Sequence, residues 1–206
     1  MQNPREHWEK VYQSKQPNAV SWFQEHATRS LELIHSVGTS LDANIIDVGG
    51  GASTLVDDLL RDGYKSISVL DLSASALDVA RKRLGIDGRR VTWITGDICD
   101  VNLPAQTYDI WHDRAVFHFL IEPSHRAAYV QQVMKAVKPG GHVIVATFAP
   151  DGPEQCSGLP VARYAPGQLH GEFGPSFDLL EHVSEEHKTP WGSVQHFVYC
   201  HCLKPH

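Results

Sequence analysis

The 206 residues carry 18 Lys plus Arg against 24 Asp plus Glu, a formal charge of −6, with 42% hydrophobic and 20% charged residues. That balance fits one compact domain with a continuous core. It excludes a disordered chain, and also a general nucleic-acid binder, which needs a net basic face to displace counterions from phosphates. The longest apolar stretch, Val143 to Ala149, is far below the ~20 residues of a membrane-spanning helix. The first ten residues lack the apolar centre of a secretory signal. Cys99, Cys156, Cys200 and Cys202 are too few and too irregular for a disulfide framework. A cytoplasmic location, free thiols and neither membrane nor nucleic acid as partner are expected.

In chain order, residues 5 to 37 offer two helical segments, the second ended by Gly38, placed to lie across one edge of the domain. The sequence thus reads as one domain, residues 1–40 forming a helical lid on a Rossmann-like core of residues 41–206. Asn44–Val48 reads as a first strand, Ser53–Asp62 as its helix with Gly63 as stop, and Ser66–Leu70 as a second strand. The next helix starts at the N-cap Ser73, carries Ala76, Leu77, Ala80 and Leu84 on one face, and ends at Gly85. Val91–Ile94 and Tyr108–Trp111 supply strands three and four. A long helix follows Pro123 with the stripe Ala127, Val130, Val133, Met134 and Val137, broken by Pro139-Gly140-Gly141 before a fifth strand, Val143–Phe148. After a Pro- and Gly-rich loop (150–167), Phe177–Val183 and Val194–Leu203 form an antiparallel pair around a turn containing Thr189-Pro190-Trp191-Gly192. The alternation predicts a doubly wound, mostly parallel α/β sheet with helices on both faces.

The strongest chemical signal is Asp47-Val48-Gly49-Gly50-Gly51-Ala52-Ser53, where the first strand turns into its helix. Glycine there permits positive φ and close approach of a ligand, at the edge where open α/β sheets bind. Such a turn serves nicotinamide cofactors and other adenosine ligands alike. A dinucleotide fingerprint wants a third glycine where this chain has Thr54, and no Gly-Lys-Ser/Thr follows for a phosphate loop. Asp71 stands at the end of the second strand, where a carboxylate can accept both ribose hydroxyl protons. Gly96-Asp97-Ile98 ends the third, where Asp97 suits an adenine amino group and Ile98 the ring.

This series resembles the class I methyltransferases that use S-adenosylmethionine. The residues carrying the likeness are Asp47 to Gly51, Leu70-Asp71-Leu72-Ser73, Gly96-Asp97-Ile98, Tyr108-Asp109-Ile110-Trp111-His112-Asp113-Arg114, and Lys138-Pro139-Gly140-Gly141. The resemblance implies a seven-stranded sheet with the last strand inserted antiparallel. It also implies S-adenosylmethionine as cofactor, held by Asp47, Gly49, Gly51, Asp71, Leu72, Asp97 and Ile98. His7-Trp8 with Tyr12, then Ser21-Trp22-Phe23, is similar to the N-terminal arm of lysine methyltransferases acting on elongation factors, which implies that Trp8, Tyr12 and Trp22 shield the sulfonium. The second half, Asp113-Arg114-Ala115 through Glu185-Glu186-His187-Lys188 and Trp191-Gly192, is similar to the thiopurine methyltransferase group, whose members methylate thiols and other soft nucleophiles.

Methyl transfer from a sulfonium is an in-line displacement that alignment in a dry pocket promotes; a base is optional for a thiolate and useful for a protonated amine or hydroxyl. Residues after the fourth strand lie beside the cofactor, so Asp113 and His118 are the catalytic candidates and Arg114 an acceptor contact, with His118 able to titrate near neutral pH. A packed histidine in Phe117-His118-Phe119 is the plainer alternative. Cys156, Arg163 and Tyr164 in or beside the 150–167 loop are expected at the acceptor wall. Cys200-His201-Cys202 does not have zinc-site spacing, and no metal is expected. The expected activity is methylation of a small-molecule acceptor. A protein lysine acceptor is the alternative; a nicotinamide oxidoreductase and a non-catalytic adenosine-binding module stand as other classes. A deep pocket closed by residues 1–37 and 150–167 would favour the small molecule, an open acidic groove the lysine.

Overall fold

The computed structural model describes residues 3–206. Asn3 caps helix α1 (Pro4–Ser14), its side chain accepting from the Arg5 amide at 3.0 Å with Pro4 opening the first turn. α2 (Thr28–Ser36) follows and buries Ser30, Leu33 and Ile34. The chain then alternates through β1 (Asn44–Val48), α3 (Leu55–Arg61), β2 (Ser66–Asp71), α4 (Ala74–Leu84), β3 (Val91–Thr95), β4 (Tyr108–Arg114), α5 (Pro123–Ala136) and β5 (Val137–Phe148). A two-stranded hairpin, β6 (Gln155–Cys156) and β7 (Leu159–Pro160), precedes α6 (Pro166–Phe173), β8 (Asp178–Lys188) and β9 (Val194–Leu203).

The seven-stranded sheet runs β3-β2-β1-β4-β5-β9-β8. The pairs β1–β2, β2–β3, β1–β4 and β4–β5 are parallel, while β9 runs antiparallel to both β5 and β8. Six strands therefore share a direction and the last opposes them, as the resemblance implied. Strand order reverses between β1 and β4, and a crevice opens beyond the carboxyl ends of strands at such a point.

Alternation along each strand divides the core. On one face Val48, Trp111, Val143, Val145, Cys200 and Cys202 pack under α5 and α6 with Tyr129, Phe117 and Phe173. On the other, Ile45, Ile67, Ile110, Ile144, Phe197 and Tyr199 pack under α2 and α3 with Leu33, Ile34 and Leu59. The predicted Ser73 cap holds, its hydroxyl accepting from the Ala76 amide at 3.1 Å, and Gly85 ends α4 at φ 57°.

Several expectations change. α3 begins two residues later than Ser53, because the turn consumes Gly49 to Thr54. β5 begins at Val137 instead of Val143, running through Pro139-Gly140-Gly141 with a register shift opposite Tyr108 and Ile110. α6 starts inside the loop expected over 150–167 and fills residues to which no element is assigned from sequence; Pro166 in its first turn, Gly174 just beyond its end, and Leu169 and Phe173 buried one turn apart are the signals that mark it. β8 runs on past Val183 to Lys188, because pairing with β9 sets its length and its edge position tolerates Glu185, Glu186 and Lys188.

The first forty residues do two different things. α2 is part of the core and no lid. α1 alone lies at the sheet's carboxyl edge, where the Glu9 carboxylate accepts from the Ala74 amide at 2.6 Å and the Ser75 amide at 3.2 Å. These are free N–H groups of the first turn of α4, where a negative charge is favoured.

Candidate functional site

The glycine turn takes the conformation its residues allow: Gly49 lies at φ 70° and Gly51 at φ 41°. The Gly49 amide donates to the Leu70 carbonyl at 2.7 Å, pinning the turn to β2. A Cβ on Gly51 would stand 2.6 Å from the Asp71 Oδ2, so turn and carboxylate face each other closely. Arg83 fixes the far side, donating to the Ala52 carbonyl at 2.8 Å and the Ser53 carbonyl at 2.6 Å while pairing with Asp57. Sequence reasoning missed this brace.

Parallel register carries Asp71 alongside Thr95, and Asp97 follows two residues beyond β3 with Ile98 buried next to it. One oxygen of each acid is spent locally, Asp71 accepting from the Ser73 amide at 2.8 Å and Asp97 from the Cys99 amide at 2.9 Å. Leu72 is half-buried beside them. Burial, with the like charges of Asp47 and Glu9 added, pushes the Asp71 carboxyl up to about 7 against the Ser73 hydrogen bond. A ribose diol is the kind of donor that would relieve it.

Trp8, Tyr12 and Trp22 come together as one cluster: Trp8 meets Trp22 edge-on at 5.7 Å and Phe119 at 5.2 Å, and Tyr12 lies 6.4 Å from Trp22. Burial and the nearby charge of Asp71 hold the Tyr12 hydroxyl far above its usual range. Beneath this roof lies a cavity of about 60 Å³ lined by Tyr12, Trp22, Asp47, Gly49, His112 and Arg114, among others. A typical small-molecule site starts near ~300 Å³, so α1 and the segment up to Gln24 cover most of the cleft.

The fourth strand places its residues by parity. His112 and Arg114 face the cavity; Asp113, between them, points to the opposite face of the sheet. There its carboxylate is saturated, accepting from the Val116 amide at 2.8 Å, the Phe117 amide at 3.1 Å and the Tyr129 hydroxyl at 2.7 Å. Burial lifts it to about 6 against those bonds. The expectation of Asp113 as a catalytic residue is thus corrected: it anchors the turn after β4. His118 is corrected likewise. Its ring is fully buried between Phe119 and Phe148, at 4.5 and 4.8 Å, with neither nitrogen hydrogen-bonded. Burial, with the Arg114 charge, drops it to about 3, so it stays neutral and out of reach at pH 7.

Arg114 does line the cavity, its guanidinium 4.2 Å over the Phe197 ring, paired with Glu185 at 3.2 Å and donating to the Tyr199 hydroxyl at 3.1 Å. Glu185 also accepts from the Gln24 amide at 2.8 Å, which ties the roof segment to β8. Cys156 is buried near this group, its thiol pushed up to about 12 by burial, so no thiolate is available. Arg163 and Tyr164 do not reach the cavity. Arg163 braces its own loop through the Gly152 carbonyl and Glu154, and Tyr164 packs on Phe117 across the sheet.

The feature that sequence reasoning missed is a buried chain behind the glycine turn. His112 Nδ1 donates to Asp47 Oδ1 at 2.7 Å, and the Ser30 hydroxyl bonds His112 Nε2 at 2.8 Å. Asp47 Oδ2 is buried without a partner. Asp47 and His112 are register partners in β1 and β4, so two polar residues at the carboxyl ends of neighbouring strands were the available sign. Among the described residues no cluster of three or more His, Cys, Asp or Glu side chains is arranged to hold a metal, and no helix is long and apolar enough to cross a membrane.

Residues 45–141 match the pattern of the methyltransferase domain. Human EEF1A lysine methyltransferase 2 is 21% identical over 193 residues, covering 87% of this chain and 76% of its own. The malonyl-[acyl-carrier protein] O-methyltransferase of Halalkalibacterium halodurans is 33% identical over 111 residues, 52% of this chain, but the chain spans only 40% of it. Among solved structures, one concerned with conversion of a disulfide bond into a thioacetal group during echinomycin biosynthesis superposes with a TM-score of 0.80 at 17% identity, over 98% of this chain and 93% of that one. A methyltransferase from Anabaena variabilis superposes at 0.76 with 15% identity, over 99% and 96%.

Proposed function

We propose that the chain is a class I S-adenosylmethionine-dependent methyltransferase that methylates a small-molecule acceptor bearing a thiol or other soft nucleophile. One observation carries this: the two groups expected to serve as a general base are withdrawn from the cavity, Asp113 saturated on the other face and His118 sealed and neutral. Such a site suits an acceptor that already presents a lone pair at neutral pH.

The donor's residues fit its parts. Asp71 would take the ribose hydroxyls, Asp97 and Ile98 the adenine, and Asp47 with Gly49 and Gly51 the methionyl end. When bound, the donor supplies a methyl group on a positive sulfur. Trp8, Tyr12 and Trp22 offer aromatic faces to that charge and exclude water. Arg114, held rigid by Glu185, Tyr199 and Phe197, orients the acceptor. The bound ligands exceed the present cavity, so α1 and the segment to Gln24 act as a lid that swings out for loading.

A second reading, methylation of a protein lysine, is favoured by a separate open groove of about 560 Å³ lined by Phe23, Gln24, Glu25, Glu186 and Lys188, which adjoins the roof of the cavity. The 87% coverage by the human lysine methyltransferase adds to it. Transfer of labelled methyl groups to panels of thiols, amines and carboxylates, and to a protein extract, tests both. Labelled thiols are expected; label confined to protein lysine would overturn the small-molecule assignment. Isothermal titration tests the premise on the donor, and preference for NADH over S-adenosylmethionine would refute it.

A further inference from the structure

Ser30, His112 and Asp47 stand in the order of an acyl-transfer relay, yet they cannot work as one. The Ser30 hydroxyl sits on the buried face of α2 with no exposure, so no carbonyl can reach it. What the chain of bonds does is fix a carboxylate. His112 occupies Asp47 Oδ1 and Ser30 holds the imidazole from behind, which leaves Oδ2 with one orientation, against Gly50. That oxygen is the only buried carboxylate oxygen without a partner among the described residues. Asp47, His112 and Ser30 all line the cavity at the glycine turn, away from Asp71 at the nucleoside end. Space of about 60 Å³ there suits a short charged tail and not a purine, and an unpaired buried carboxylate oxygen calls for a cationic hydrogen-bond donor.

We propose that His112 and Ser30 are positioning residues of the donor site, which orient Asp47 to receive the α-ammonium group of the methionyl or homocysteinyl tail. This rests on the donor assignment made above. It separates binding of the tail from binding of the nucleoside, and two available ligands make that separation visible. S-adenosylhomocysteine carries the amino-acid tail; 5′-methylthioadenosine has the same adenosine and a thioether but no tail.

Titration of both ligands against the whole chain is the test. His112→Leu is expected to weaken S-adenosylhomocysteine by roughly tenfold or more, the scale of one charge-assisted hydrogen bond, and to leave methylthioadenosine unchanged. His112→Asn, whose side-chain amide can donate where Nδ1 did, is expected to recover most of the loss. Ser30→Ala, which keeps His112 and removes its support, is expected to give a smaller loss with the same selectivity, and carries the test should the leucine variant not fold. Equal losses for both ligands in the folded variants, or no loss for either, would overturn the proposal. If the unsubstituted chain binds neither ligand, the donor assignment falls and this inference with it.

Discussion

Asp71 places function and stability in opposition. Its carboxyl is 7% exposed and shifted up to about 7, against ~3.9 in an unfolded chain. Three units at about 1.36 kcal/mol each give a penalty of about 4 kcal/mol for carrying the charge in the folded state at pH 8. The sign follows from the direction of the shift. A carboxyl raised on folding leaves stability intact below pH 4, where both states are protonated, and takes it away as pH rises from 4 through 7. Asp71→Asn retains an oxygen for the Ser73 amide and removes the charge. The variant is therefore expected to be more stable than the parent by up to about 4 kcal/mol at pH 8, shrinking to about 1 to 2 kcal/mol at pH 5. Its affinity for S-adenosylhomocysteine falls by about 1–3 kcal/mol, because an amide cannot accept both ribose protons. Urea denaturation at the two pH values, with titration of the ligand at pH 8, measures both. A stability gain independent of pH, or undiminished affinity, would refute the reasoning.

Other substitutions probe neighbouring features. His118→Phe is expected to leave or raise stability at pH 7, since two buried unpaired nitrogens disappear, and to leave methyl transfer intact. The parent loses stability as pH falls from about 6.5 toward 3 and the buried imidazole must charge, so the variant's acid denaturation curve should be flatter. Tyr129→Phe removes the hydroxyl that donates to Asp113 and accepts from Trp111 Nε1 at 2.8 Å; urea denaturation should show a loss of about 1–3 kcal/mol. Gly49→Ala forces a side chain into the left-handed region and against Val116. Thermal unfolding should fall by the equivalent of about 1–3 kcal/mol, with S-adenosylhomocysteine binding lost.

The sheet, its direction and the glycine turn facing Asp71 were legible because they rest on local signals: β-branched runs at strand length, Ser73 and Gly85 bounding a helix, glycines where φ turns positive, and acids at strand ends. Failures came where tertiary placement decides. Asp113 and His112 are adjacent, both polar, both on β4; only the two-residue period, anchored to which neighbour faces β1's Asp47, tells which one sees the cavity. His118 titrates near neutrality in water, and nothing local announces that Phe148, far along the chain, closes over it. Cys156 and Arg163 lie in the expected loop, but burial of the first and local bracing of the second are invisible without coordinates. The expected lid over residues 1–40 is too long for the same reason. α1 and α2 are both amphipathic, and only packing separates the one that caps an edge from the one that fills the core.

The position of β9 between β5 and β8 constrains the order of assembly. β8 leaves the ribosome first but has no neighbour in the sheet except β9, so its backbone groups wait unpaired until residues 194–203 emerge. A nascent chain halted before Val194 would lack β9 and so leave β8 with no strand to pair with. Arg114 would then have neither Glu185 nor Tyr199 beside it, making this side of the cavity the last part of the molecule to mature.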